Sequence, residues 1–271
     1  MPTSTFNNKK IHWQETGEGT PVILIHGFCE DSRMYSSFFP FLTDAGYKVI
    51  APDLLGFGLT ETHPEASISI QAEMIEYLTN YLGLASPVLI GHSMGGYIAL
   101  ECLQRNNISW AGVGLFHSHP YPDSPETQQK REKGITFIQK NGLKPYLRDF
   151  YNYLFPEPFI KAQPQTIQQL KNCSVSYDPQ GVITAQKAMQ NRADHQNTLE
   201  TSKVPVLFLL GLLDTLLPKD KLLDQTHLPA IADIQILKHV GHMGAFEAPA
   251  TCVRIISNFV KFCESNSSVN S

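Results

Sequence analysis

Short apolar runs alternate with longer stretches of helical periodicity along most of this chain. Val22–His26, Lys48–Ala51, Val88–Gly91, Gly112–Phe116, Val204–Leu210 and Ile234–Leu237 are runs of four to seven residues without strict alternation. Such runs suit strands covered on both faces. Lys10–Glu15 adds a candidate edge strand. Helical patterns lie between these runs, at Ser32–Asp44, Ile68–Leu82, Met94–Arg105, Pro218–Gln225 and Ala248–Phe262. In the second of these, Ile68, Ala72, Ile75, Leu78 and Leu82 form one apolar stripe. Strand–helix alternation predicts an α/β fold with a mainly parallel central sheet flanked by helices.

One interval breaks the rhythm. Between His119 and Thr201 no strand pattern stands out, and Glu126–Lys140, Pro145–Tyr153, Gln165–Asn172 and Val182–Asn191 have helical periodicity. An insertion of this length between two core strands would sit as a lid at the sheet's carboxyl edge, where open α/β sheets bind their ligands. The expected organisation is a core of residues 1–118 and 202–264, a helical cap at 119–201, and a disordered Ser/Asn-rich tail at 265–271.

Candidate chemistry clusters at the ends of the predicted strands. Gly91-His92-Ser93-Met94-Gly95 fits the G-x-S-x-G nucleophile elbow. Roughly 0.09 such matches arise by chance in a chain of this composition, but here a strand precedes the serine and a helix follows, as an elbow requires. A serine hydroxyl is a poor nucleophile without a base. His242, in the glycine-flanked loop Val240-Gly-His-Met-Gly244, follows the last strand and is the preferred base. His239 is its local competitor, at the strand end, where the pleat fixes its direction.

The base needs an acid to fix its tautomer. Asp214 interrupts the most apolar stretch of the chain, just after the strand Val204–Leu210, and is the first choice; Asp123, after the strand Gly112–Phe116, is the fallback. For an oxyanion hole the N–H of Met94, at a helix N-terminus, is one donor. The N–H of Phe28, in the loop His26-Gly27-Phe28-Cys29, is the other. Phe28, Met94 and Met243 neighbour these positions and are the expected substrate-binding side chains, which favours an apolar substrate. The aromatic segment Tyr146–Phe159 is expected mainly to pack the cap onto the core.

These segments together resemble the α/β-hydrolase fold superfamily, through His26-Gly27-Phe28, Asp53-Leu-Leu-Gly-Phe-Gly58, Gly91-His-Ser-Met-Gly-Gly96, Gly211-Leu-Leu-Asp214 and Gly241-His242-Met243. The resemblance implies a helical cap and gives Asp53 a structural place in a turn. Related families with this motif set include esterases, lactonases, C–C bond hydrolases and cofactor-free haloperoxidase-like proteins. Haloalkane dehalogenases and epoxide hydrolases place an aspartate where Ser93 stands. The short N-terminus leaves little room for the family's first edge strands, so seven strands or an incomplete eight are expected.

Composition narrows the function. Hydrophobic residues make up 42% and charged residues 17% of the 271 positions, a globular balance. The net charge of −4 provides no basic field for nucleic acid. No apolar run is long enough to span a bilayer, and Met1–Glu18 lacks a signal-peptide core, so a soluble cytoplasmic protein is expected. Five cysteines without CxxC spacing predict neither a disulfide framework nor a structural zinc site. His117 and His119 are close in sequence but lack an evident third metal ligand. His92 is expected to point away from Ser93, and Cys29 to be a small buried side chain.

The expected activity is a serine hydrolase acting through Ser93, Asp214 and His242 on a small, largely apolar carboxylic ester or lactone, with no metal or organic cofactor. A C–C bond hydrolase, a perhydrolase or a slow-turnover ligand sensor would use the same residues.

Overall fold

The computed structural model describes residues 2–174, 176–217 and 219–267 of the chain. Eight strands form one sheet: β1 (Thr3–Phe6), β2 (Lys9–Thr16), β3 (Thr20–Ile25), β4 (Tyr47–Pro52), β5 (Val88–His92), β6 (Gly112–Phe116), β7 (Val206–Gly211) and β8 (Ala232–Leu237). Their spatial order is β1-β2-β4-β3-β5-β6-β7-β8. Pairing is antiparallel from β1 to β2 and from β2 to β4, and parallel from there on. β5, β6 and β7 are buried at every position, which explains their unalternating apolar runs. At the edge, β8 alternates between exposed and half-buried residues.

The edge is complete, contrary to the expectation from the short N-terminus. β1 is Thr-Ser-Thr-Phe, and of these only Phe6 is buried, so hydrophobicity carries little trace of it. It is joined to β2 by Asn7 and Asn8, both with positive φ (47° and 60°), which is the chemistry of a two-residue hairpin turn.

The helices follow their expected stripes, with two breaks. A 3₁₀ turn at Ser32–Tyr35 precedes a separate helix at Phe38–Asp44. Pro40 falls in the first turn of that helix, where a missing N–H costs nothing. Likewise Gly244–Glu247 is a short helix, and Pro249 opens the long one, Pro249–Ser267, which runs three residues into the expected tail. The helix expected at Pro218–Gln225 spans Lys219–Asp224, and Pro218 lies outside the described residues, as do positions 268–271 of the tail. Between β6 and β7 the described residues form six helices and no strand: Pro125–Asn141, Leu143–Leu154, Glu157–Ala162, Pro164–Ser174, Pro179–Gln190 and Gln196–Glu200. No helix among the described residues is long and apolar enough to cross a membrane.

Candidate active site

Ser93 sits between β5 and the helix Met94–Arg105 with φ 50° and ψ −115°. A non-glycine residue is held there only by its surroundings, at a cost of about 1–3 kcal/mol. Ser93 N–H donates to the Phe116 carbonyl (2.9 Å), and the Ser118 hydroxyl donates to the Ser93 carbonyl (2.8 Å). The helix also approaches the sheet closely: a Cβ on Gly95 would lie 2.4 Å from the Ile25 carbonyl oxygen, so only glycine fits.

The hydroxyl this elbow presents meets two other segments. Ser93 Oγ lies 2.9 Å from His242 Nε2, and His242 Nδ1 lies 2.7 Å from Asp214 Oδ2. A carboxylate only accepts, so Nδ1–H donates to Asp214 and Nε2 is left to take the serine proton. The other oxygen of Asp214 accepts from the N–H groups of Leu216 (2.8 Å) and Leu217 (3.2 Å). Burial pushes the Asp214 carboxyl up, yet the charge and hydrogen bond of His242, with smaller help from His117 and Leu216, hold it below the usual carboxylate range. It therefore remains ionised beside the imidazole.

Of the competitors, Asp123 lines the cavity near Ser93 but is engaged by Arg131 and Arg192, and among the described residues no hydrogen bond joins His239 to Ser93.

Three carboxylates and a second imidazole hold this arrangement, and two of these acids carry no sequence motif. Glu247 brackets His242: its carboxylate accepts from Gly241 N–H (2.7 Å) and Met243 N–H (2.9 Å), on either side of it. Glu30 accepts from Gly27 N–H (2.9 Å) and from His92 Nδ1–H (3.0 Å). His92 Nε2–H donates to the His242 carbonyl (2.8 Å). Both nitrogens of His92 thus donate, which makes it an imidazolium paired with Glu30 in a fully buried site. Burial opposes both charges. The charge and hydrogen bond of Glu30 nevertheless raise His92 above its ordinary value, and His92 with Gly27 N–H brings Glu30 below its own. His92 turns away from Ser93, as expected, but it ties the loop of His242 to the loop of Gly27.

That second loop is fixed at both ends. His26 accepts the Leu54 N–H on Nε2 (2.9 Å) and donates from Nδ1 to the Gly27 carbonyl (2.8 Å). A Cβ on Gly27 would lie 2.7 Å from His92 Nδ1 and 2.9 Å from Glu30 Oε2. Phe28 follows, and Met94 opens its helix, where an N–H has no helical partner. Among the described residues neither N–H donates to a protein group. Asp53 holds the neighbouring turn, accepting from His12 (2.7 Å), Ser32 N–H (2.8 Å) and Leu59 N–H (2.8 Å).

A cavity of about 320 Å³ opens over Ser93 and His242. Phe28 lines it, with Tyr146, Phe150 and Leu154 from the helical insertion. Met94 and Met243 do not: both are buried in the core below, so two of the three expected substrate-binding side chains are misplaced. Phe28 packs edge-on to Phe150 (5.4 Å between centroids), joining cap to core as expected of the aromatic segment. The far end of the cavity is polar, with His119, Tyr121, Asp123, Arg131, Arg192 and Lys221. His117 lies behind the site, fully buried, with neither ring nitrogen hydrogen-bonded. Cys29 is buried beside the Gly27 loop, its carbonyl accepting from the Tyr151 hydroxyl.

Residues 20–249 match the alpha/beta hydrolase fold family. The chain is 27% identical over 280 residues to a 2-hydroxy-6-oxo-6-phenylhexa-2,4-dienoate hydrolase of Comamonas testosteroni, covering 93% of this chain and 91% of that one. A segment of 92 residues is 35% identical to a bifunctional epoxide hydrolase 2 of Sus scrofa, spanning 33% of this chain and only 17% of that much longer protein. Among solved structures, a thermophilic esterase from Thermogutta terrifontis superposes with a TM-score of 0.89 at 27% identity, covering 96% of this chain and 97% of that one.

Proposed function

This chain belongs to the alpha/beta hydrolase fold family, and from that premise we propose that it is a serine hydrolase of carboxylic esters or lactones, with Ser93 as nucleophile, His242 as base and Asp214 as orienting acid. The observation that carries this reading is the Ser93–His242–Asp214 hydrogen-bond relay, on a strained elbow, at the floor of a cavity.

In the reading, His242 Nε2 takes the hydroxyl proton as Ser93 Oγ forms a bond to the substrate carbonyl carbon. The developing oxyanion is met by the N–H groups of Phe28 and Met94, a donor being typically worth about 10²–10³ in rate. His242 then gives its proton to the leaving alcohol oxygen as the C–O bond breaks. Water, deprotonated by His242, releases the acyl group and restores Ser93. Asp214 stays ionised throughout and stabilises the imidazolium. Residues 119–201 serve as the cap, and their helices and connecting segments supply most of the cavity wall away from the elbow.

A second reading, cleavage of a C–C bond beside a ketone, draws on the likeness to the dienoate hydrolase, whose similarity runs over nearly the whole chain. The likeness to epoxide hydrolase 2 supports no such extension, because a serine stands at the elbow. One panel separates the readings: p-nitrophenyl acyl esters, simple lactones and a vinylogous diketone, with a fluorophosphonate to label Ser93. Labelling with repeated ester or lactone turnover supports the first reading. Diketone turnover alone supports the second. Labelling without turnover identifies a ligand sensor, and no labelling at all would sink all three.

A further inference from the structure

The polar end of the cavity contains more positive charge than it can neutralise. Asp123 is gripped by two guanidiniums, those of Arg131 and Arg192. The Asp123 and Arg192 side chains are 1% and 2% exposed, and that of Arg131 is 17% exposed. Two cations against one carboxylate leave one net positive charge in a nearly buried cluster. Lys130 and Lys221 are two further, exposed cations of the same cavity wall, with Glu126 near the first and Asp194 and Asp224 near the Tyr121 ring under the second. The remaining carboxylate of the lining, Glu30, is already matched by His92. A buried charge without a counter-ion is costly, and this surplus faces the space over Ser93.

The guanidinium of Arg192 is also aimed. It lies over the Tyr97 ring, 4.1 Å from the centroid. Its Nε donates to the Tyr121 carbonyl (3.0 Å) and its Nη1 to the Met189 carbonyl (2.8 Å) and Asp123. Among the described residues Nη2 donates to nothing. Lys221 sits over the Tyr121 ring at 5.0 Å. His119, hydrogen-bonded to the Tyr97 hydroxyl (3.3 Å), senses the same field: burial, then Arg192, Lys221 and Arg131, outweigh Asp123 and push its imidazole down to about 3. Tyr97 is three positions after Met94, the first residue of the helix that Ser93 precedes, an axial rise of roughly 4.5 Å. The positive end thus begins about one helical turn from the nucleophile.

We propose that the substrate of this site carries a carboxylate, joined by a short spacer to the bond that Ser93 attacks, and that Arg192, Arg131 and Lys221 receive it. The inference rests on the esterase or lactonase reading and narrows it to anionic substrates. The aromatic wall of Phe28, Tyr146 and Phe150 would cover the apolar spacer, while guanidinium forks suit the planar anion.

The test compares monomethyl esters of straight-chain dicarboxylic acids with methyl esters of the matching monocarboxylic acids, followed by pH-stat. A second series places the carboxylate on the leaving alcohol. For at least one anionic series kcat/KM should exceed that of its neutral partner by about ten-fold or more, mostly through KM, as expected for charge-assisted hydrogen bonds. The Arg131→Gln variant leaves Asp123 and Arg192 as a one-to-one pair and removes the buried part of the surplus, so the anionic-to-neutral ratio should fall several-fold. Lys221→Gln, at an exposed position, should lower that ratio part-way if Arg131→Gln fails to fold. Neutral esters turned over as well as or better than both anionic series by the parent enzyme would overturn the proposal. So would an Arg131→Gln or Lys221→Gln variant that folds and keeps the ratio. Should neither series be hydrolysed, calorimetric titration of the Ser93→Ala variant with the half-ester and with its dimethyl ester reads the anion site alone: equal affinity refutes the anion site, and preference for the half-ester keeps it while the ester reading falls.

Discussion

Replacing Glu30 with glutamine preserves the shape of the side chain and removes its charge. In the parent, one carboxylate oxygen takes both the Gly27 N–H at 2.9 Å and the His92 Nδ1–H at 3.0 Å. The glutamine oxygen can still accept, but it no longer supports an imidazolium in a buried site. His92 then sheds its proton, which limits the cost below that of a stranded buried charge. Loss of a charge-assisted bond of this kind costs about 1.5–3 kcal/mol. For a chain of this size that lowers the melting temperature by roughly 3–10 °C.

The dependence on pH has a definite sign. Glu30 titrates lower in the folded state than its ordinary 4.5, so its contribution is present above that value and disappears as pH falls through the folded one. His92 titrates above its ordinary 6.5, so its contribution is complete below that value and is lost as pH rises through the folded one. The gap in melting temperature between parent and Glu30→Gln should therefore be widest between the ordinary values of 4.5 and 6.5, shrinking as pH moves from there toward the lowered carboxyl or the raised imidazole. Because the same carboxylate anchors Gly27, the Phe28 N–H shifts with it, and kcat on a neutral ester should fall about ten- to hundred-fold. Thermal melts across pH, with kcat from initial rates, are the assays. A gap that stays constant across pH, or equal melting and turnover in the two proteins, would refute the reasoning.

Other substitutions probe the remaining parts. Ser93→Ala should abolish fluorophosphonate labelling and lower ester turnover by about 10⁴ or more while leaving the melting temperature equal or raised, since the strained serine contributes no core contact. Asp214→Asn should cost about 10⁴ in kcat, whereas Asp123→Asn should leave far more activity; the opposite ranking in a steady-state assay would remove Asp214 from its place. Gly95→Ala should yield little folded protein in an expression and circular-dichroism check, because its Cβ would meet the Ile25 and His26 carbonyl oxygens at 2.4 and 2.7 Å. Tyr177→Phe removes the 2.6 Å bond from its hydroxyl to Asp31. It should cost about 1–2 kcal/mol in denaturant melts.

The elbow was legible because everything it needs is local: a β-branched run, two glycines and a helix whose observed bounds, Met94–Arg105, coincide with the pattern. His242 and Asp214 were legible from their places after strands. The acids that hold them were not. Glu30 is 62 positions from His92, and His92 is 150 from the carbonyl it binds, so no window of sequence contains the connection. Glu247 lies close to His242, but a carboxylate in a short helix gives no sign that it accepts backbone N–H groups upstream. Met94 and Met243 misled for a related reason: adjacency to a candidate residue fixes where the backbone is, not which way the next side chain turns, and both methionines turn into the core. The cationic end of the cavity joins a linker, one helix of the insertion, the turn after another and the helix after β7, and it emerges only once these are folded together. The first strand was hidden by its polar composition, although the Asn7-Asn8 turn marked its place.

The His92 imidazolium joins parts of the chain that are made at very different times. As the polypeptide leaves the ribosome, Gly27, Glu30, His92 and Ser93 are all available well before the carbonyl of residue 242 emerges. Until then one donor of the ring lacks the carbonyl it binds in the folded chain. In the proposed reading, a chain that ends before residue 242 has no base for Ser93, and turnover becomes possible only once the last loop closes onto the His92 ring.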